Sequence, residues 1–529
     1  MNTSFNPLET QLAAVWQQLL AQQPNHDSHF FAMGGNSLLL IRLSIGISEQ
    51  MGLSVDVSGL LQNPRFADMA QHIAAKVVTQ LPKYDGRHSF STTSVPLTFA
   101  QKAVWQSIQT GAGSANHNLP LGLHILSQID VARLQQAVAM MMVRHRILRA
   151  QVVLNEQGEP MLMPNAATIE LNTLDLSLLA EVARSERLHA LEHDLFATAL
   201  PVLNSPLAIL QWVKLADDEH YLYLNLHHIV FDGVSCDVFV NELMSLYAQK
   251  SLPPLVVDYF DYAQWEASAA YRASLQSGVG YWQERLAAHQ PAVLPLLNPD
   301  SADAAGAFLS QTLPIRVLQG LRALAQRHDT TLFVVFALAL QVVLERHKKQ
   351  GDVAFGTYTS QRLYAEFTQT LGNFINPTVV CRDWREDQTV AQALSTQQQQ
   401  IAQDFAWQHI PHEAIERALA ADRAGAPAAL FDVSLVFNEQ VLQKEHRQGD
   451  LHIKLESHAE HRIDFAFDTD IEFMAHTNAE GLFVAAAYKK HKVGEAFIHK
   501  VMDELFALLT RLPDINPTTV MTQLIQHES

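Results

Sequence analysis

At 529 residues, 48% hydrophobic and 17% charged, the chain is globular in composition but too long for one core, and roughly two to four compact units are expected. Its net charge of −18 works against phosphate backbones and anionic membrane surfaces, so neither a nucleic acid nor a membrane is an expected partner. Only Cys236 and Cys381 are present, no basic and apolar leader opens the chain, and the longest apolar run, LFVVFALAL at 332–340, is too short to span a bilayer; a reducing, cytoplasmic compartment follows.

The first predicted element is NPLETQLAAVWQQLLAQ. Asn6 can cap it, Pro7 suits the first helical position, Glu9 can reach back, and Leu8, Leu12, Val15, Trp16 and Leu19 recur at helical spacing. A second apolar helix follows Ser37, and a third is expected at NPRFADMAQHIAAKVV, where Asn63 and Pro64 repeat the start signal. These helices make a small all-α bundle over residues 1–80. Residues 81–95, LPKYDGRHSFSTTSV, lose apolar periodicity and collect Pro, Gly, Ser and Thr, as a linker does.

Beyond it the pattern is α/β. VARLQQAVAMMMVRHRILRAQVVL reads as a helix running into a strand, HYLYLNLHHIV as an alternating strand, and LQGLRALAQRHDTTLFVVFALALQVVLERHKK as helical before the strand DVAFGTY. Both long helices end in an Arg-His pair, Arg144 with His145 and Arg346 with His347, a weak sign of two similar lobes.

In FFAMGGNSLLLIRL (30–43), two glycines allow a tight turn and leave Ser37 at the positive end of a helix, where a phosphoester is favoured. GGNS alone is an ordinary helix cap. The whole segment, in a helical unit covering residues 5–80, resembles the 4'-phosphopantetheine attachment site of peptidyl carrier proteins, although that family commonly has Asp or His where Asn36 stands. The resemblance makes Ser37 the attachment residue and 4'-phosphopantetheine the cofactor.

LHHIVFDGVS (226–235) is the second constellation. Neighbouring side chains in a strand face opposite ways, so one of His227 and His228 is a tool and the other packs. Asp232 and Gly233 follow at the strand's exit, where a glycine permits a sharp turn and a carboxylate can pair with a cation. An arbitrary HH is more often a satisfied core pair. The full HHxxxDG spacing resembles the active-site motif of the condensation domains of nonribosomal peptide synthetases, relatives of chloramphenicol acetyltransferase. LTFAQKAVW (97–105), RHRILRAQV (144–152), YFDYAQW (259–265), LGNFINPTVV (371–380), HIPHEAIE (409–416) and LFDVSLVFNEQ (430–440) resemble further condensation-domain motifs in order. Departures are Gln361, where the family usually has Gly before Arg362, and Asn376-Pro377, where Asn-Thr is usual; they bear on donor or acceptor preference.

The resemblance implies a four-helix carrier followed by a two-lobed α/β, chloramphenicol-acetyltransferase-like condensation domain, its lobes at 96–265 and 266–529, with His228 in a tunnel between them. It implies an amide-forming acyltransferase: an acyl or peptidyl thioester on the Ser37 arm is attacked by an acceptor amine, as in secondary-metabolite or siderophore biosynthesis. His228 is the catalytic residue, as a base, an anchor for the amine or a stabiliser of the tetrahedral intermediate. His227 and Gly233 support it, and Asp232 is structural, paired with Arg362.

The implied partners are a phosphopantetheinyl transferase, a separate adenylation enzyme or upstream carrier, and a downstream aminoacyl carrier or soluble amine. No Gly-rich nucleotide loop is present, so the chain is not expected to activate its own amino acid. Both ends read as natural termini, which favours a stand-alone protein over an excised piece.

Other residues read blandly. Cys236 is an apolar filler, and Met140 to Met142 are core packing. His446, His452, His458 and His461 lie on a solvated hairpin or loop; no metal is expected. An epimerisation-type domain of the same superfamily and a non-catalytic recruitment domain are the rivals. YFDYAQW and HIPHE disfavour the first, and an intact His228 the second. The carrier region and the run of motifs disfavour a coenzyme A-dependent acyltransferase, and the histidine motif disfavours heterocyclisation.

Overall fold

The computed structural model describes residues 5–35, 37–51, 55, 57–75, 94–112, 117–165, 169–295, 306–422, 430–438, 445–449, 451–456 and 469–526. Asn36, most of the expected linker, His458 and His461 lie outside the described residues.

Helices α1 (Pro7–Leu20), α2 (Ser37–Met51), α3 (Val57–Gln62) and α4 (Phe66–Ala75) open the chain. The Asn6 side chain accepts the Glu9 N–H at 2.9 Å and the Glu9 carboxylate accepts the Asn6 N–H at 2.8 Å, the capping box that starts α1. Trp16 is the hub of the core, with Phe30 and Phe66 edge-on to it at 5.1 and 5.3 Å. The expected start at Asn63-Pro64 is corrected: α4 begins at Phe66, and the Asn63 amide donates 2.8 Å to the Gly59 carbonyl, closing α3 instead of opening α4. The bundle rests on the second lobe. Ala402 joins its core, and Arg65 and His29 approach the Asp329 carboxylate at 3.2 and 3.5 Å.

Two six-stranded sheets follow. The first runs, edge to edge, Glu445–Gln448, Leu451–Glu456, Asn118–Ile125, His220–His227, Ala208–Lys214 and Leu171–Asp175. The second runs Ile375–Cys381, Ala354–Ser360, Val433–Asn438, Ile471–Thr477, Gly481–Lys489 and Gly306–Pro314. A division at residues 265 and 266 therefore separates most of the chain but not the sheets, because the hairpin 445–456 crosses back and pairs Ile453 with Ile125 and Glu456 with Gly122.

Strand His220–His227 is buried at every residue. Alternation survives in residue type. Leu222, Leu224 and Leu226 face the main core, while Tyr221 and Tyr223 face a smaller cluster with Leu195 and Phe196 of the helix Glu181–Ala197. Covered on both sides, this strand carries no polar-outward face.

The long helical stretch of the second lobe is two helices, Ile315–Arg327 and Leu332–His347, bent by 103° at a break where Asp329 is left-handed (φ 48°) and Thr331 caps the second. The run 332–340 lies wholly in the second core, and no single helix among the described residues is long and apolar enough to cross a membrane. Met141 and Met142 pack as expected; Met140 is corrected, being 52% exposed on the outer face of its helix.

The Arg-His pairs have matching roles. Arg144 donates to Glu242 at 2.9 Å with His145 2.6 Å from the same carboxylate; Arg346 donates to Glu504 at 3.0 Å with His347 at 3.2 Å. Glu242 and Glu504 each lie inside a helix, Gly233–Tyr247 and Glu495–Arg511.

Candidate active site

Strand His220–His227 ends one residue before His228, so the two histidines are separated by a change of backbone as well as of side. His227 continues the face of Tyr221, Tyr223 and Asn225 and is completely buried. Its Nδ1 accepts the Ile229 N–H at 3.1 Å, which puts the ring proton of the neutral form on Nε2. Burial, with the nearby His117 and His228, pushes its pKa down to about 3, so it stays neutral. His228 sits in the following turn, half-buried, its backbone N–H donated at 2.7 Å to the His117 carbonyl. The structure thus separates the pair as the sequence suggests, into a packed His227 and a more accessible His228.

Asp232 caps the helix Gly233–Tyr247 and is 1% exposed. One carboxylate oxygen accepts the Ser235 N–H and hydroxyl at 2.9 and 2.8 Å. The other accepts Arg362 at 2.6 Å and the Phe374 N–H at 3.0 Å. Burial alone would raise this carboxyl, but the Arg362 charge and these donors outweigh it and hold the group below its usual range. Arg362 also donates to the Ser235 hydroxyl at 2.8 Å and the Thr370 carbonyl at 3.0 Å, and stacks on Phe374 with 4.1 Å to the ring centre. The expected Asp232–Arg362 pair is present, and it joins the helix after the histidine turn to the second lobe.

Gly233 differs from expectation. Its backbone is not left-handed, a Cβ there would meet nothing within 4 Å, and it is simply the exposed first residue of its helix. Gly372 is the glycine the packing demands, because a Cβ would fall 1.9 Å from the Tyr259 ring.

Residues that the sequence reading left without roles complete the setting. Ser235, within the quoted motif, bonds to Asp232, Arg362 and Gly372. Gln101, in LTFAQKAVW, donates its amide to the Ile229 carbonyl at 2.9 Å. Asn376 donates to the Gln408 and Ile410 carbonyls and accepts the His412 N–H, tying LGNFINPTVV to HIPHEAIE. Arg146 pairs with Asp258, which caps YFDYAQW. The motifs are mostly the framework around one histidine turn.

Ser37 is the first residue of α2; its side chain lies outside the described atoms. The glycines before it behave as expected: Gly34 is left-handed (φ 95°), and a Cβ on Gly35 would sit 2.3 Å from the Phe30 ring. A phosphodiester on this serine would stand at the N-terminus of a fifteen-residue helix, so the residues fit a phosphopantetheine.

Cys236 is buried, in keeping with filler. His446 is buried with its Nδ1 3.2 Å from Asn241, so the hairpin is present but that histidine is not solvated. Among the described residues no cluster of His, Cys, Asp and Glu could hold a metal ion. A small apolar pocket between Pro291, Leu294, Leu344, Val353, Leu430 and Phe431 borders the start of LFDVSLVFNEQ and includes none of His228, Asp232, Ser235 and Arg362.

Comparison with known proteins agrees with these features. The family described as Condensation domain matches residues 91–520, and that described as Phosphopantetheine attachment site matches residues 10–73. Tyrocidine synthase 2 of Brevibacillus parabrevis is 27% identical over 448 residues, covering 81% of this chain and 12% of that protein. Bacitracin synthase 1 of Bacillus licheniformis is 23% identical over 529 residues, covering 98% of this chain and 10% of the other. The chain thus spans about a tenth of the length of the curated relatives it matches. Among solved structures, the complex of the X-domain and OxyB from teicoplanin biosynthesis aligns with a TM-score of 0.70 at 20% identity, covering 85% of this chain and 100% of the other. The first condensation domain of the calcium-dependent antibiotic synthetase aligns at 0.63 and 20% identity, covering 82% and 99%.

Proposed function

The chain belongs to the condensation-domain family and carries a phosphopantetheine attachment site ahead of that domain, and from this premise we propose that it forms an amide between an acyl or peptidyl group carried on Ser37 and an acceptor amine. The observation that carries the reading is the His228 turn, held by buried bonds beside the Asp232–Arg362 pair. Phosphopantetheine on Ser37 supplies the thiol that holds the donor as a thioester. A thioester is already activated, so the protein's work is to orient the reactants and manage one proton. The amine nitrogen bonds to the acyl carbon, the carbon–sulfur bond breaks, and the amine proton passes through His228 to the leaving sulfur. Nδ1 of His228 is enclosed by protein. Asp232 is a structural residue, since Arg362, Ser235 and Phe374 already occupy its carboxylate.

The partners we infer are a phosphopantetheinyl transferase, a separate adenylation enzyme or upstream carrier that loads Ser37, and an aminoacyl carrier or soluble amine as acceptor. The tunnel between the lobes, the domain limits of 1–80, 81–95, 96–265 and 266–529, and a cytoplasmic setting belong to the same proposal. Two free, buried cysteines suit a reducing compartment.

The test is reconstitution. With coenzyme A and a phosphopantetheinyl transferase the protein should gain one pantetheine arm, and Ser37→Ala should gain none. Loaded protein given aminoacyl carriers and soluble amines should yield an amide, with His228→Ala slower by about 10² to 10⁴. Inversion of the donor's α-carbon would instead mark an epimerisation domain. Neither product from any donor would favour recruitment, as the likeness to the X-domain that forms a complex with OxyB allows.

A further inference from the structure

We propose that Gln101 is a positioning residue for His228, acting through a closed circuit of hydrogen bonds that ties the histidine turn to the second lobe; this deepens the reading of His228 above and rests on it. The residue after His228 has both backbone groups held by side chains. The Ile229 N–H is taken by His227 Nδ1 at 3.1 Å, and its carbonyl accepts the Gln101 Nε2 at 2.9 Å. Gln101 is completely buried, and its Oε1 is fixed in turn by the Thr98 N–H at 3.2 Å, so its amide orientation is set: oxygen to Thr98, nitrogen to Ile229.

The circuit then leaves the first lobe. The Tyr259 hydroxyl donates to the Asn373 carbonyl at 2.5 Å, so it must accept its 2.9 Å bond from the Thr98 hydroxyl. The residue after Asn373, Phe374, donates its N–H to Asp232 at 3.0 Å, and Asp232 stands four positions beyond His228. From Ile229 through Gln101, Thr98, Tyr259 and Asn373 to Asp232, every link is buried. Rotation of the Ile229–Val230 peptide, which sets the turn just after His228, therefore requires a buried bond to break or the second lobe to follow. The Gln101 amide is the link that touches the turn itself.

Three substitutions separate positioning from mere packing. Gln101→Met keeps the volume but removes the donor. Gln341→Met is the control: Gln341 is equally buried and makes the same kind of bonds, to the Cys381 carbonyl and from the Trp384 indole, in the core of the second lobe. Gln101→Met should lower kcat by roughly ten- to hundredfold, since small misplacements of a reacting group cost that much, while KM changes little. Gln341→Met should lower the melting temperature by a similar amount and leave kcat alone. In Gln101→Glu the side chain can donate to Ile229 only when protonated. Its activity relative to wild type, measured across pH, should be highest at acid pH and fall as the carboxyl ionises. A Gln101→Met kcat within twofold of wild type, or a flat Gln101→Glu ratio, would overturn the proposal. Histidine-labelled protein read by NMR decides the point even if no amide forms: the His228 ring signals should move in Gln101→Met and stay in Gln341→Met, and equal signals in all three proteins would refute it.

Discussion

Asp232 keeps a charge where water does not reach, and four donors make that tolerable: Arg362, the Phe374 N–H, and the N–H and hydroxyl of Ser235. Removing one partner of such a pair leaves the other buried and uncompensated, typically costing about 3 to 5 kcal/mol. Asp232→Asn and Arg362→Ala should both show that loss in urea unfolding at neutral pH. The acid dependence has a definite sign. The folded carboxyl ionises below its ordinary value of 3.8, so its contribution is complete above that value and is lost as pH falls through the folded pKa. The stability gap between wild type and Asp232→Asn should hold from pH 7 to pH 5 and narrow below about pH 4; a gap that stays constant into acid would show that Asp232 is not the titrating partner. At this scale much of the arrangement was legible: strand alternation set a packed His227 apart from His228, and resemblance paired Asp232 with Arg362. Gln101 and Ser235 were not, because a glutamine's or serine's role depends on which backbone groups arrive beside it, and those come from residues up to 137 positions away.

Among elements, the two Arg-His helix ends show the same solution used twice. Helices Val131–Arg144 and Leu332–His347 are each pinned at their last turn to a glutamate in another helix, Glu242 or Glu504. Cations near a helix C-terminus are favoured by the backbone dipole, and the glutamate supplies a second reason for the pair to stay. Hydrogen bonds to charged groups are worth about 1.5 to 3 kcal/mol, so Glu242→Ala and Glu504→Ala should each destabilise by about that much, and by similar amounts. A loss at one position only, in denaturant midpoints, would mean the two helix ends are alike in residues but not in energetics. Two dipeptides in the sequence were enough to suggest this parallel, whereas the glutamates that complete it lie in helices with no matching signature. The break at Asp329 was hidden for another reason: the apolar run on either side reads as one continuous helix, and only the left-handed backbone at Asp329 and the Thr331 cap reveal two.

Across the whole molecule the lobes are joined at several places, by Asp232–Arg362, by Tyr259 to Asn373 and by the hairpin 445–456, while the carrier bundle rests on the second lobe through α3 against the helix Val390–Ala406, where Ala402 joins the bundle's core, and through Arg65 and His29 at Asp329. The bundle has a core of its own around Trp16, whereas buried hydrogen bonds tie the lobes to each other, so the bundle should unfold on its own while the lobes unfold together. Calorimetry should resolve two transitions, and Asp232→Asn should move only the larger one; separate melting of the lobes would contradict this coupling. The sequence did not show that the hairpin crosses, since its residues alternate like those of any edge strand and nothing local names the partner sheet.

That crossing also has a consequence during synthesis. Strand Asn118–Ile125 acquires its neighbour Leu451–Glu456 only after some 330 further residues are made, an interval of roughly 15 to 65 seconds at ordinary rates of about 5 to 20 residues per second. Until then the nascent first lobe presents a long, apolar, unpaired strand edge to everything near the ribosome, the kind of edge to which other strands add.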